Sequence, residues 1–561
     1  MTTSPILILG AGINGAALAR ELLLGGMSVV VVDTGDLARG ATSYSSRLIH
    51  GGLRYLEYGE FDLVRESLAE RTRLLRLAPH LVRPLKLFIP VNNRWGGLRD
   101  SMRRFLKLRL AAGQPTPRGL WLVRAGLTLY DWYARDPTLP RHQVVSAKDP
   151  RAPAVDARRY PWLCGYCDAQ VRFPERFVVA LFDDARRLAE EQQLDFRMYL
   201  YHRAALSGRI ATIYSLAAAE DTQSSSVISF TPAAIVNATG AWVDRTLSEL
   251  HVPAARLMGG TKGSHLVTSH TGLREAVGLG GIYAEAPDGR PVFILPFGPS
   301  VLIGTTDLPY SGDPADAVAT DAEIDYLLST VRLVFPQIGL TRADIDLHYS
   351  GVRPLPRVDE ASTGAITRRH WLEEHHGSET PLFSIIGGKL TTCRSLAESS
   401  VSAIRKRLEL DEAPRNSRDR PLPGGEHYPA DAASLERHWH ELTDCTGFAI
   451  DQVRAVWELR GTQSAEILLQ IGAERDNVPG TQFPCNFVRW LIAHEWVHCL
   501  DDLIERRLML LYDPRLSHST LRRLAELLAD SGVLPADQIA EEVERTQQRL
   551  ERHFGRRIMA D

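Results

Sequence analysis

The sequence predicts an α/β fold over its first 410 residues and an all-helical domain after them. Apolar strand patterns alternate with helical ones up to about residue 410. Only helical patterns follow the Pro/Gly/charged stretch DEAPRNSRDRPLPGGEH, residues 411–427, which reads as a linker. The third observation is ILILGAGINGAALARELLLGGMSVVVVD near the start. Ile6–Leu9 is a short buried strand, Ala16–Leu24 a helix and Val29–Val32 a second, parallel strand. Gly10, Gly12 and Gly15 make G-x-G-x-x-G between the first strand and the helix, and Asp33 ends the second strand. Both strands, the helix and the acid are in register, so this is a dinucleotide fingerprint in its required context. Gly10 permits the tight turn, Gly12 lets the backbone approach a pyrophosphate, and Gly15 allows close helix–strand packing. The helix N-terminus supplies N–H groups to the anion, and Asp33 can accept from a ribose hydroxyl.

The fingerprint alone does not separate NAD from FAD. It stands at the start of the chain, no second fingerprint follows, and AAIVNATGAWVD (233–244) is an apolar strand ending in Ala238-Thr239-Gly240. That strand resembles the late motif of two-domain FAD enzymes, whose chain returns to the nucleotide after an excursion. The FAD-binding segments are placed at about 1–90, 150–250 and 346–410. The excursions, about 91–150 and 251–345, form a substrate domain; PVFILPFG and VLIGTTD are its strands. Residues 428–561 form the C-terminal helical domain.

Size and composition narrow the class. A chain of 561 residues accommodates two or three domains. Its net charge of −3 argues against nucleic acid as a partner. Six cysteines in so long a chain do not make a disulfide framework and point to a reducing compartment. No signal-peptide pattern precedes the first strand, and no run of about 18 uncharged apolar residues predicts a membrane span.

The stretch SRLIHGGLRYLE (46–57) is a poor regular helix because of Gly51 and Gly52. Glycine lets a ligand approach the backbone closely. Together with its flanks, ATSYSSRLIHGGLRYLEYGEFDLVRESLAER resembles a segment of the FAD-dependent glycerol-3-phosphate dehydrogenase family. KGSHLV (262–267), LIGTTD (302–307), SGVRPL (350–355), AITR (365–368) and GGKLTTCR (387–394) are similar to later family motifs, in the same order. HEWV and the acidic pair with following arginines (494–507) match its C-terminal domain.

The resemblance implies a fold of the glutathione-reductase/amino-acid-oxidase type and FAD as cofactor. It implies oxidation of glycerol 3-phosphate to dihydroxyacetone phosphate, with hydride passing from C2 to flavin N5 and electrons on to quinone. It also implies FAD contacts at Ile13, Asn14, Thr42, Ser43, Ser46, Leu48, His50, Gly51, Gly52, Gly240, Gly304, Gly388, Lys389, Leu390 and Thr391. The double glycine is then expected beside the flavin ring, with Arg54 and Tyr55 facing substrate. Arginine binds phosphate through a fixed, bidentate fork, so Arg54, Arg353 and Arg368 are the anion-binding candidates, and Lys389 adds a point charge. Removal of the hydroxyl proton needs a base with a pKa near working pH, and histidine has one. His265 is the first candidate and His50 the second; Arg353 and Lys389 complete the catalytic set.

The chain departs from the family pattern in places. Arg47 stands where lysine is usual, Cys393 where tyrosine is common, and Phe173-Pro174-Glu175 precedes Arg176 in place of the usual acidic run. These departures leave FAD untouched and open the substrate to related small acidic alcohols. An oxidase of the same fold using O2 or acting on an amino acid stays an alternative, as does a flavin-bound, non-catalytic partner-binding protein.

Three further motifs need a reading. HEWVH (494–498) is a literal H-E-x-x-H, which on one helix places two zinc ligands together. No third ligand is evident, so it reads as a packing helix with Trp496 buried. CGYC (164–167) lacks the context of a redox or zinc site and reads as two free thiols. WGGLRDSMRRFLKLRL (95–110) is basic and amphipathic, and LWLVRAGLTLYDWY (120–133) follows it. Such helices lie in membrane interfaces and attract anionic lipid. Family members are peripheral membrane enzymes, which implies the inner face of the cytoplasmic membrane; a homodimer stays open.

Overall fold

The computed structural model describes residues 4–96, 119–136, 138–216, 228–357, 370–472 and 475–558. A six-stranded sheet carries the N-terminal fingerprint. Its order is Trp371–His375, Leu382–Ile386, Ala234–Asn237, Ile6–Leu9, Val29–Val32 and Phe196–Tyr199, and all neighbours are parallel except the first pair. Parallel strands need helices on both faces, which is why Ile6–Leu9 and Val29–Val32 are apolar and buried throughout. The helix Ile13–Leu24 is buried on nearly every side. It belongs to one core with the helices Pro174–Gln192 and Cys393–Arg407.

A larger, mostly antiparallel sheet carries the second half of the site. Thr261–Thr268 lies between Ser300–Gly304 and Leu347–Arg353, pairing His265 with Gly304 on one side and Tyr349 on the other. This sheet corrects the expected segment boundaries. Val82–Val91 pairs with Trp162–Val171 along its whole length, and both belong here rather than to the nucleotide sheet. The strand Leu347–Arg353 is also a member. Each of these strands sits beside a segment that does return to the nucleotide, and strand patterns carry no label for the sheet they join.

The C-terminal helices, from Ala432–Thr446 to Ile539–Phe554, share a continuous apolar core with the larger sheet. Val267, Phe297 and Tyr349 of that sheet belong to the same cluster as Leu503, Tyr512 and Phe554. The stretch 411–427 is an ordered strap rather than a loose tether. Leu422 is buried and donates its N–H to the Leu77 carbonyl (2.8 Å), while Arg420 pairs with Asp184 (2.9 Å).

His80 lies beneath the end of this strap, buried, with its ring 6.3 Å from that of Tyr428. Burial, and then the Arg460 charge, push its pKa down to about 3. An unfolded histidine takes up its proton near 6.5, whereas the folded chain resists until far lower pH. His80 therefore removes stability as pH falls through this window, by up to about 1.4 kcal/mol per unit. We expect the melting-temperature gap between the wild type and His80→Gln to narrow from pH 7.5 to pH 5; an unchanged gap contradicts this account.

HEWVH does not form one helical face. The helix Cys485–His494 ends at its first histidine, and Trp496 is half-buried with φ of 50°. The break turns Glu495 inward, where Arg176 (2.5 Å) and Arg460 (2.8 Å) hold its carboxylate. CGYC lies on the strand Trp162–Val171, where positions three apart point to opposite faces. Both thiols are free.

Candidate active site

The two sheets enclose an open cavity of about 480 Å³. Its wall includes the N-terminus of the helix Ile13–Leu24. The helix N-cap, Gly12, offers no side chain and the first turn no carboxylate; the Thr42 hydroxyl accepts from the Ile13 N–H (3.1 Å), and the positive end of the dipole faces the cavity. Gly10 has φ of 108°, and a Cβ there would collide with the Ala238 carbonyl at 2.7 Å. A Cβ at Gly240, on the same wall, would meet nothing within 4 Å. Asp33 accepts from the N–H groups of Ala11 (2.7 Å) and Gly35 (2.9 Å), which binds the glycine turn to the second strand. Burial raises its pKa to about 6.

The same cavity wall carries His265, Arg353, Lys389, Tyr55 and His50. The His265 ring is buried and stacks on Tyr349 (centroids 4.8 Å apart, 21° between planes). Its Nε2 lies 2.9 Å from Ser46 Oγ, and its Nδ1 is buried with no protein hydrogen-bond partner. Burial, then the Arg353 and Arg47 charges, hold its pKa well below the usual histidine range. That direction favours the neutral imidazole and makes it a weaker base than the sequence expectation of a pKa near working pH. Lys389 Nζ donates to Ser67 Oγ (2.6 Å) and lies 5.0 Å from the centre of the Tyr55 ring. Arg353 pairs with Asp307 (2.8 Å) and donates to Thr305 Oγ1 (3.0 Å), so part of its charge is already balanced.

The cavity wall brings together Gly10, Gly12, Ile13, Asn14, Asp33, Thr42, Ser46, Leu48, His50, Tyr55, Gly240, His265, Arg353, Gly388, Lys389, Leu390 and Thr391. Other expected residues stand behind it. Gly15 packs against the Gly10 backbone, and Ser43 Oγ donates to the Ala38 carbonyl (2.8 Å). Gly304 abuts the edge of the His265 ring, where a Cβ would collide.

The double glycine is a correction. Gly51 and Gly52 do not line the cavity. A Cβ on Gly51 would strike Leu68 and the Tyr130 hydroxyl at 2.5 Å, and one on Gly52, whose φ is 72°, would strike the Tyr55 ring. The side chains are absent to seat Tyr55 and the neighbouring helix, and Tyr55 is what reaches the cavity. The side chain of Arg54 and all of Arg368 lie outside the described residues.

Sequence reasoning missed Arg47 as a site residue. It was visible only as a departure from pattern, and Glu175 was another. The structure joins them: Glu175 accepts from both terminal nitrogens of Arg47 (3.0 and 2.7 Å), and both side chains are buried. Pro174 opens the helix Pro174–Gln192, where its missing N–H costs nothing. Arg39, Trp242, Arg245 and Asp313 also line the cavity and went unpredicted. Asp313 accepts from Trp242 Nε1 (3.0 Å) and pairs with Arg245 (2.8 Å) across the two sheets' domains, a contact with no local signal.

The polar groups suit a dinucleotide. They comprise a helix N-terminus with donor N–H groups, an acceptor carboxylate at the second strand, and buried Asn14 Oδ1 and His265 Nδ1 without protein partners, beside glycines on the same wall. A family model described as FAD dependent oxidoreductase matches residues 5–394. The chain belongs to the FAD-dependent oxidoreductase family. It is 34% identical to the glycerol-3-phosphate dehydrogenase of Synechocystis sp., over 90% of this chain and 88% of the relative. It is 31% identical to the D-erythritol 1-phosphate dehydrogenase of Brucella abortus, over 90% of this chain and 94% of that one. Among solved structures, the FAD complex of glycerol-3-phosphate dehydrogenase from Bacillus halodurans aligns with a TM-score of 0.71. That match has 20% identity and covers 98% of this chain and 95% of the other. As in other flavoprotein oxidoreductases, the cofactor brings the redox chemistry and the protein supplies orientation and charge. Gly10, Gly12, Asn14 and Asp33 would hold its nucleotide half.

Proposed function

We propose that this enzyme oxidises sn-glycerol 3-phosphate to dihydroxyacetone phosphate and delivers the electrons to a quinone at a membrane surface. The observation that carries this reading is that Lys389, Arg353 and the buried His265 line the same cavity. A phosphate dianion on a secondary alcohol needs that set. Lys389 and Arg353 attract and orient the phosphate, and Arg54 and Arg368 join them on their motifs. His265 takes the hydroxyl proton as the C2 hydride leaves; His50 is the second candidate. Bound FAD supplies the hydride acceptor. The kinship to glycerol-3-phosphate dehydrogenases supports the substrate.

A longer polyol phosphate is the second reading, favoured by the kinship to a D-erythritol 1-phosphate dehydrogenase. Comparing kcat/KM for the two phosphates with a soluble quinone analogue as acceptor decides between them. The first reading predicts a preference for glycerol 3-phosphate, and the reverse order replaces it.

No described helix is long and apolar enough to cross a membrane. Surface attachment is supported by the helix Leu120–Ala134. Trp121, Arg124, Thr128 and Trp132 lie along its exposed face. Trp95, 70% exposed, stands 6.1 Å from Trp121, and Arg124 and Arg135 lie over the rings of Trp121 and Trp132. Tryptophan with nearby cations suits the headgroup layer of an anionic membrane. The basic segment 97–110 that motivated this reading lies outside the described residues. We expect Trp121→Ala/Trp132→Ala to cut co-sedimentation with anionic vesicles at least threefold without changing activity on a soluble acceptor. Unchanged co-sedimentation counts against this face.

A further inference from the structure

No described residue beyond Thr391 lines the cavity, yet the C-terminal helical domain reaches Tyr349, which stacks on His265. The contact is Tyr512, in the turn Leu510–Tyr512. Buried Arg556, just past the last helix, secures that turn by donating to the carbonyls of Leu511 and Asp513. The Tyr512 hydroxyl accepts from Arg47 Nη2 (2.5 Å), whose guanidinium lies 4.6 Å from the centre of the Tyr512 ring. The Tyr512 ring meets Tyr349 nearly at right angles (6.4 Å, 80°).

Tyr349 touches the histidine by two routes. Its ring stacks on that of His265, and its hydroxyl donates to the Ser45 carbonyl (2.9 Å). The next residue, Ser46, hydrogen-bonds His265 Nε2. Arg47 completes the arrangement. Wholly buried, it is tied to Glu175 and to the carbonyls of Arg172 (2.8 Å) and Ser43 (3.1 Å), and its guanidinium lies 5.8 Å from the Tyr349 ring centre. Its neighbours fix residues 43–47 from several directions. A ring held on one face and at one nitrogen keeps a single plane, and small misplacements of a reacting group are costly in rate.

We propose that Tyr512 is a positioning residue for the proton transfer: through Arg47 and Tyr349 it fixes the plane of the His265 imidazole, so the C-terminal domain controls turnover from outside the cavity. This rests on the reading of His265 as proton acceptor, and the test separates the two. Full-length, FAD-loaded wild type, Tyr512→Phe, Tyr349→Phe, His265→Asn and the double variant Tyr512→Phe/His265→Asn are mixed anaerobically with glycerol 3-phosphate. Flavin bleaching is followed against substrate concentration. Phenylalanine at 512 keeps the ring and removes only the oxygen that accepts from Arg47; at 349 it removes the hydroxyl that donates to Ser45 and also meets Arg47. Each is expected to lower the limiting rate about tenfold while the half-saturating concentration stays within twofold. In the His265→Asn background, Tyr512→Phe should have no further effect. In protein labelled with 15N-histidine, the His265 resonances, assigned by their loss in His265→Asn, should shift in Tyr512→Phe.

A wild-type limiting rate in Tyr512→Phe, or an effect undiminished in the His265→Asn background, overturns the positioning role alone. A wild-type rate in His265→Asn overturns the proton-acceptor reading and this proposal with it.

Discussion

Arg507→Ala will destabilise the enzyme by about 3 kcal/mol or more and lower its FAD content together with its melting temperature. Asp36 follows the second strand of the nucleotide sheet, in the loop that also carries Asp33 and Arg39 to the cavity. Its buried carboxylate accepts from Arg507 Nη1 (2.7 Å) and Nη2 (2.8 Å) and from Arg506 Nε (2.5 Å). These arginines belong to the C-terminal helical domain. They hold the Asp36 pKa below the usual carboxylate range against the opposing effect of burial. Removing one partner of a buried ion pair costs about 3–5 kcal/mol, because the remaining charge cannot regain water. Arg506 stays in place, so the lower end applies. Thermal denaturation with and without added FAD measures the effect, and Asp36→Asn/Arg507→Ala should recover part of it. A melting temperature within 1 °C of wild type for Arg507→Ala contradicts the account, by the ordinary scaling of melting temperature with stability.

Lys389→Met is the variant expected to cost most in catalysis without loss of fold. Met keeps the length of the stem and removes the ammonium that donates to Ser67 and stands beside Tyr55. A hydrogen bond to a charged group contributes about 1.5–3 kcal/mol, so kcat/KM for glycerol 3-phosphate should fall about 10- to 150-fold. The loss should appear mainly in KM if Lys389 only binds phosphate, and equally in kcat if it also favours the transition state. Ser67→Ala, which removes the hydroxyl and leaves the Lys389 charge, should cost less than fivefold. Equal kcat/KM in Lys389→Met and wild type removes Lys389 from the substrate site.

Local patterns carried much of this fold. Gly10, Gly12, the helix Ile13–Leu24 and Asp33 are close in sequence, and their roles depend on backbone geometry that residue type dictates directly. His265, Arg353 and Lys389 were placed by short motifs and do converge on the cavity wall. What stayed hidden depends on long-range contacts. The reason for Gly51 is Tyr130, 79 residues away, whose hydroxyl accepts the Gly51 N–H (2.9 Å). Arg47 and Glu175 read as separate oddities because 128 residues separate them; in space they form one buried pair. The stretch 411–427 has a linker's composition, yet Leu422 and Arg420 find partners on the nucleotide domain that composition cannot reveal. HEWVH shows the reverse failure. Its pattern is helical, but burial of Glu495 against Arg176 and Arg460 ends the helix and separates the histidines.

The central claim is that one cavity holds FAD and presents it with a phosphorylated secondary alcohol. The most direct measurement is to record the flavin spectrum of the purified enzyme without oxygen and then add sn-glycerol 3-phosphate. Rapid bleaching of the yellow spectrum is the result predicted here. A flavin that stays oxidised under saturating substrate would contradict the assigned reaction while leaving the fold in place.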